Sequence, residues 1–239
     1  MVGWKRAAQL DVLAVRGLGL LGLNDSLLRP SMAGRAAVPP RTWSSTPAAS
    51  SEENPVIEAE LKARLNNPAA VRAALLVRAV PERAIYRDIY YDTPGEDLGH
   101  AGREVRLRTV ETDAVRHLLT FKEAAVDEAS GSKPEYETVV SEPAAVDHLV
   151  RALGLEPLVE LTKECENYRF AEDGRDFLAT IVGVPEIEGV FLEVETQAAE
   201  DDVGNALAAV RSVLTDLGVA DSELTTELYT DAVRAARAI

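Results

Sequence analysis

The chain has 239 residues, 46% of them hydrophobic, which is enough for one well-filled domain or a domain with appendages. Its 25 Lys and Arg against 40 Asp and Glu give a formal net charge of -15, so the body repels nucleic acid and anionic membrane surfaces, and neither is an expected partner. One cysteine, Cys165, excludes an internal disulfide, and with only 3 His it leaves no Cys/His zinc cluster; a cytoplasmic setting is expected.

Residues 1–55 differ from the rest. Up to Ser51 there are six basic residues (Lys5, Arg6, Arg16, Arg29, Arg35, Arg41) and two acidic ones (Asp11, Asp25), followed by a Pro/Ser/Thr/Ala stretch over 39–51. This composition predicts a disordered or leader segment, either a targeting peptide or a plain extension. The apolar run 18–23 falls far short of the roughly 18 residues of a membrane span.

From 56 to 65 the residues alternate: Glu58, Glu60, Lys62 and Arg64 share one face of a predicted strand. Asn67-Pro68 then supplies an N-cap and a first-turn proline for a helix to about Ala79. Strands are predicted over 84–92, 104–110, 115–122 and 134–140, broken by turn-rich pieces such as Pro94-Gly95 and Ser130-Gly131-Ser132. Glu142-Pro143 opens a second helix that Gly154 ends. Three more strands, 158–170, 176–184 and 190–196, lead to helices at about 200–217 and 222–237.

Eight strands joined mostly by short turns predict an α+β fold whose sheet is antiparallel. Charge follows strand parity. Glu104, Arg106 and Arg108 share a face, as do Lys133, Glu135 and Glu137, then Lys163, Cys165, Asn167 and Arg169, then Glu193 and Glu195. Apolar residues such as Val105, Leu107, Leu119, Phe121, Leu192 and Val194 lie opposite, with helices available to cover them. A closed barrel with a charged lumen uses both faces. Buried ions cost several kcal/mol each unless paired, so Arg and Lys gathered beside Glu suit a polyphosphate with divalent metals better than a neutral ligand. Cations hold phosphate oxygens while carboxylates hold the metals.

The three histidines, His100, His117 and His148, are scattered and read as surface residues, and Cys165 as a small packing side chain. Tyr90, Tyr91 and Asp92 either shape the tunnel mouth or end a strand.

Glu58-Ala59-Glu60-Leu61-Lys62, YRDIYYDTP at 86–94, REVRLRT at 103–109, HLLTFKE at 117–123, KPEYET at 133–138 and FLEVET at 191–196 stand in an order that resembles the CYTH domains. That family includes class IV adenylate cyclases of the CyaB type and thiamine or inorganic triphosphatases, and the resemblance covers about 56–235 of a domain set at 56–239. It implies an eight-stranded antiparallel β-barrel tunnel open at both ends, of the triphosphate tunnel metalloenzyme kind, with flanking helices. It further implies that Glu58, Glu60, Glu193 and Glu195 hold Mg²⁺ or Mn²⁺. Lys62, Arg106, Arg108, Lys122 and Lys163 would grip the triphosphate, with Glu135 and Glu137 as a further acidic pair, and Glu58, Glu60 and Lys62 are the expected catalytic group. Two departures stand out: a Lys-x-Arg pattern reads Lys163-Glu164-Cys165, with Arg169 further along the same face counted among the expected substrate-binding residues, and a common Asp is Gly183, which is expected to weaken or reshape one metal site.

The activity expected first is conversion of ATP to 3',5'-cyclic AMP and pyrophosphate. The ending TELYTDAV at 226–233, which is similar to a Tyr-containing C-terminal motif of CyaB proteins, favours it. A triphosphatase is the second expectation and a non-catalytic nucleotide- or polyphosphate-binding module the third. ATP or another triphosphate is the expected partner, with a homodimer left open.

Overall fold

The computed structural model describes residues 57–126 and 132–238, so the expected leader and the Ser130-Gly131 turn lie outside the described residues. The described residues form eight strands: β1 (Ile57–Arg64), β2 (Glu82–Asp92), β3 (Glu104–Glu111), β4 (Val115–Lys122), β5 (Lys133–Val140), β6 (Glu156–Glu172), β7 (Arg175–Gly183) and β8 (Phe191–Ala198). They close into an antiparallel barrel in the order β1-β5-β4-β3-β2-β6-β7-β8, as the parity of charge predicts.

Among the described residues five α-helices accompany the strands: α1 (Pro68–Arg78), α2 (Asp97–His100), α3 (Pro143–Ala152), α4 (Val203–Asp216) and α5 (Tyr229–Arg237). Asn67 caps α1 by accepting from the Ala70 amide at 3.2 Å, with Pro68 in the first turn. Gly154, at φ 92°, takes the left-handed position after α3, and the Leu155 amide reaches back to the Val150 carbonyl. Sequence alone does not reveal α2, a single turn held by Asp92, whose carboxylate accepts from the amides of Leu98 and Gly99, each at 2.9 Å.

The helix expected over 222–237 is shorter. Asp221–Glu223 is a 3-10 turn, residues 224–228 run extended, and α5 begins only at Tyr229. The barrel explains why. β1 pairs with β5 through only Ile57↔Pro134 and Glu58↔Lys133, which leaves the rest of the β1 edge without a strand on that side. The extended stretch fills it: Leu224 bridges Ala63, and the Thr225 amide donates to the Lys62 carbonyl at 2.9 Å.

The barrel is turned inside out relative to a sandwich, with its main core outside the sheet. Leu61, Ala63, Tyr168, Phe177, Ala179, Ile181, Leu192 and Val194 pack against Val71 and Leu75 of α1 and Val210, Val213 and Leu214 of α4. Tyr91, Leu107 and Val150 form a smaller core beneath α3. Because Leu75 is fully buried, Leu75→Ala should cost about 2–5 kcal/mol of stability, measured by urea unfolding. A loss below about 1 kcal/mol would mean that α1 is not part of that core.

Candidate functional site

Alternation along eight strands brings the charged set to the inside. Opposite Glu60 stands Glu195, opposite Lys62 stands Glu193, and opposite Lys122 stands Glu135. Two cavities share the lumen. The inner one, about 180 Å³, is lined by Glu58, Glu60, Lys62, Tyr90, Glu104, Arg106, Lys122, Lys133, Lys163 and Glu193, together with Thr225, Thr226, Leu228, Tyr229 and Thr230. The outer one, about 850 Å³, is lined by Glu58, Glu135, Glu137, Arg169, Asp176, Glu195 and Gln197, with Phe170, Phe177 and Leu178 as its large apolar residues. Glu58 belongs to both.

Glu58, Glu60 and Glu195 place carboxylate oxygens within 4.8 Å of one another. Their charges are unequally compensated. Burial acts to raise the Glu58 carboxyl, but Lys122 outweighs it and holds Glu58 far below the ordinary carboxylate range. Burial, Glu193 and Glu58 push Glu60 up to about 7, and burial with Glu58 and Glu60 drives Glu195 well up. A hard divalent cation relieves this repulsion, and three carboxylates make the oxygen donor set that Mg²⁺ or Mn²⁺ takes. The residues therefore fit the expected metal.

Glu193 is placed elsewhere than expected. It sits 3.6 Å from the Lys163 ammonium and beside Lys62 and Tyr229, outside the three-carboxylate cluster. Burial opposes ionisation there, yet Lys163 and Lys62 lower its carboxyl below the usual value.

The cations form two groups. Lys122 is ion-paired to Glu58 and lies 2.8 Å from Glu135. Lys62 donates to the Glu227 carbonyl, and Lys62 and Lys163 stand 4.6 and 4.3 Å from the centre of the Tyr229 ring. Arg106 is buried, with Nη2 3.4 Å from the Thr120 hydroxyl, Nη1 4.0 Å from Glu104, and Nε lacking a hydrogen-bond partner. Arg108, by contrast, turns one edge of its guanidinium to Asp88: Nε and Nη2 donate to its two oxygens at 2.7 Å each, and it borders neither lumen cavity.

Arg169 is exposed at the outer cavity, away from Lys163, so it does not stand in for the missing cation of the Lys163-Glu164-Cys165 strand. Glu137 accepts from Thr120 at 2.9 Å on the outer side. Gly183 pairs with Glu164 on the face opposite Val182 and Thr180, which corrects the expectation that it reshapes a metal site: the position points away from the carboxylates. Cys165 is buried among Ala84, Val182 and Phe191, and burial pushes its thiol up to about 12, as suits a packing residue. His100 and His148 are exposed, and the ring of His117 meets Thr109 at 2.9 Å outside the lumen. Of the 90–92 trio only Tyr90 lines the inner cavity, since Tyr91 turns outward to Asp147 at 2.7 Å and Asp92 braces α2.

Sequence reasoning missed Glu104, Lys133, Asp88 and Tyr229 as lumen residues. Parity already placed Glu104 and Lys133 on charged faces, and Asp88 shares parity with Tyr86 and Tyr90, whereas Tyr229 reaches the lumen only because 224–228 follows the β1 edge.

A model of the CYTH domain matches residues 56–229. Among solved structures, the PH1819 protein from Pyrococcus horikoshii OT3 is similar at 24% identity and a TM-score of 0.66, covering 75% of this chain and 99% of its own. A candidate adenylate cyclase from Vibrio parahaemolyticus is 18% identical, with a TM-score of 0.63 and 74% and 98% covered. HpAC1 from Hippeastrum, a candidate adenylyl cyclase with a dominant triphosphatase activity, is 15% identical, with a TM-score of 0.54 and 75% and 95% covered. These structures share the fold. No curated protein matches. Among the described residues no helix is long and apolar enough to cross a membrane.

Proposed function

Since the chain belongs to the CYTH domain family, we propose that it is a metal-dependent enzyme converting ATP to 3',5'-cyclic AMP and pyrophosphate. The observation that carries this reading is the place of the acidic cluster between two unlike cavities. Glu60 lines only the inner one, Glu195 only the outer one, and Glu58 both. A nucleoside in the outer cavity would meet the apolar lining residues Phe170, Phe177 and Leu178, and its α-phosphorus would fall at the carboxylates. The β- and γ-phosphates would enter the smaller cavity, among Lys62, Arg106, Lys122 and Lys163.

Glu58, Glu60 and Glu195 would hold Mg²⁺ or Mn²⁺, which supplies Lewis acidity toward the ribose 3'-hydroxyl and the phosphate oxygens. The 3'-oxygen bonds to the α-phosphorus, its proton passes to water, and the bond to pyrophosphate breaks. Lys62, Arg106, Lys122 and Lys163 would take up the charge that develops on the leaving group, Arg106 and Lys163 from buried positions. Buried placement makes those contacts worth more than they would be at a surface.

Hydrolysis of a triphosphate is the second reading. The inner cavity of about 180 Å³ suits a bare triphosphate without help from the outer one, and HpAC1 shares the fold. Incubating the protein with ATP, inorganic triphosphate and thiamine triphosphate, each with Mg²⁺ or Mn²⁺, separates the two. Cyclic AMP with equimolar pyrophosphate is the expected result. Orthophosphate without cyclic AMP would replace the cyclase reading by the triphosphatase one, and no product from any of the three would leave a binding module.

A further inference from the structure

The two lumen cavities lie toward opposite ends of the barrel. β5 begins at Lys133, β3 begins at Glu104 and β4 ends at Lys122, and all three residues line the inner cavity. The outer cavity takes its lining from the far end, where β6 supplies Arg169, β7 Asp176 and β8 Gln197. Lys133 differs from the other lysines of the inner cavity in what holds it. Lys122 is paired with two carboxylates and Lys163 with one, while Lys62 rests against the Tyr229 ring. The half-buried Lys133 donates from Nζ to the Gly102 carbonyl at 2.7 Å, and among the described residues it forms no ion pair with a carboxylate.

That carbonyl is set from outside the strands. Gly102, at φ 71°, closes the turn after α2, its amide donating to the Gly99 carbonyl at 2.9 Å while the Arg103 amide donates to that of Leu98 at 2.8 Å. A neutral carbonyl takes one of the three ammonium donors and leaves the charge and two donors for an anion. The place is also the seam of the barrel. Glu58↔Lys133 is the last rung that β1 shares with β5 at this end, and beyond it Thr225 and Thr226 line the cavity beside Lys133.

We propose that Lys133 receives the terminal phosphate of a nucleoside triphosphate and sets the preference for a triphosphate over a diphosphate. This rests on the reading of the inner cavity as the site of the β- and γ-phosphates. With the nucleoside in the outer cavity and the α-phosphorus at the carboxylates, the γ-phosphate is the group that extends furthest toward the Lys133 end. A diphosphate stops short of it. An ammonium with no carboxylate of its own gains a full counter-charge from that phosphate, whereas Lys122 and Lys163 already have theirs.

The test compares a non-hydrolysable ATP analogue with ADP, each with Mn²⁺, by calorimetry on the full chain. The parent should bind the ATP analogue more tightly than ADP. Lys133→Gln should lose at least tenfold for the ATP analogue and less than about threefold for ADP, so that the preference shrinks, and Lys133→Arg should restore it. Equal losses for the two nucleotides would overturn the proposal, because Lys133 would then act only by holding Gly102. A folded Lys133→Gln that keeps the parent's preference would overturn it as well. If Lys133→Gln fails to fold, Glu104→Gln decides: removing an anion from the same end of the cavity should tighten the ATP analogue several-fold and ADP hardly at all, and an unchanged preference would overturn the proposal. A parent that binds ATP analogue and ADP equally would instead remove the reading of the inner cavity, and the proposal with it.

Discussion

Glu60→Gln will lower turnover by about a thousandfold or more and, at pH 8 without divalent cations, will make the protein more stable than the parent. Both effects come from one arrangement. Glu60 shares with Glu58 and Glu195 the cluster that would hold the metal, and the amide removes one anionic ligand from it. Burial, Glu193 and Glu58 have raised its carboxyl from 4.5 to about 7. A raised carboxyl binds a proton more tightly in the folded chain than in the unfolded one, so folding is favoured below the unfolded value and that advantage is lost as pH climbs through 7. The metal-free parent should therefore lose on the order of 2–3 kcal/mol from this group between about pH 4.5 and 8, while the glutamine variant shows no such slope. Urea unfolding across that range, with chelator present, measures it. Equal slopes in the two proteins, or full turnover in the variant, would mean that Glu60 is an ordinary salt-bridge partner.

How much of this was legible in the sequence follows from what each feature depends on. Strand existence and facing depend on alternation, which is local, so the barrel, the buried Ala59-Leu61-Ala63 face and the inward Glu58-Glu60-Lys62 face could all be read. Which charges pair depends on register and on stagger around the barrel, which no single strand encodes. Glu193 and Glu195 look equivalent in sequence, yet register sets one opposite Lys62 and the other opposite Glu60. Arg106 and Arg108 are likewise alike until β2 supplies Tyr90 to one and Asp88 to the other. Gly183 misled because its separation from Phe191 carries no facing information across the turn between β7 and β8. The false start of the last helix has another cause: residues 224–228 include Thr225 and Thr226, compatible with either state, and the unpaired edge of β1 decides for the extended one.

Lys122→Ala will damage the fold and the site together, and pH separates the two. The ammonium is buried between Glu58 and Glu135; burial opposes its charge, but the two carboxylates outweigh that and hold it protonated well above the usual lysine range. Removing it strands Glu58, which should cost about 3–5 kcal/mol near pH 7. Because Lys122 depresses the Glu58 carboxyl below 4.5, the stability it gives is fully present above the unfolded carboxylate value and is lost as pH falls toward the depressed one. The gap between parent and variant should therefore narrow steadily from pH 5 to pH 3 in urea unfolding. Affinity for a non-hydrolysable ATP analogue with Mn²⁺ should fall by about 2–5 kcal/mol at pH 7, since the lumen loses a desolvated cation that the net charge of -15 cannot replace. Neutralising Arg35 or Arg41, two basic residues ahead of the barrel, should leave that affinity within about twofold, the contribution of a screened charge. A gap that stays constant between pH 5 and pH 3 would show that Lys122 acts through packing of its aliphatic stem, and equal losses of affinity at Lys122, Arg35 and Arg41 would show that the polyanion is drawn by diffuse charge rather than held inside the barrel.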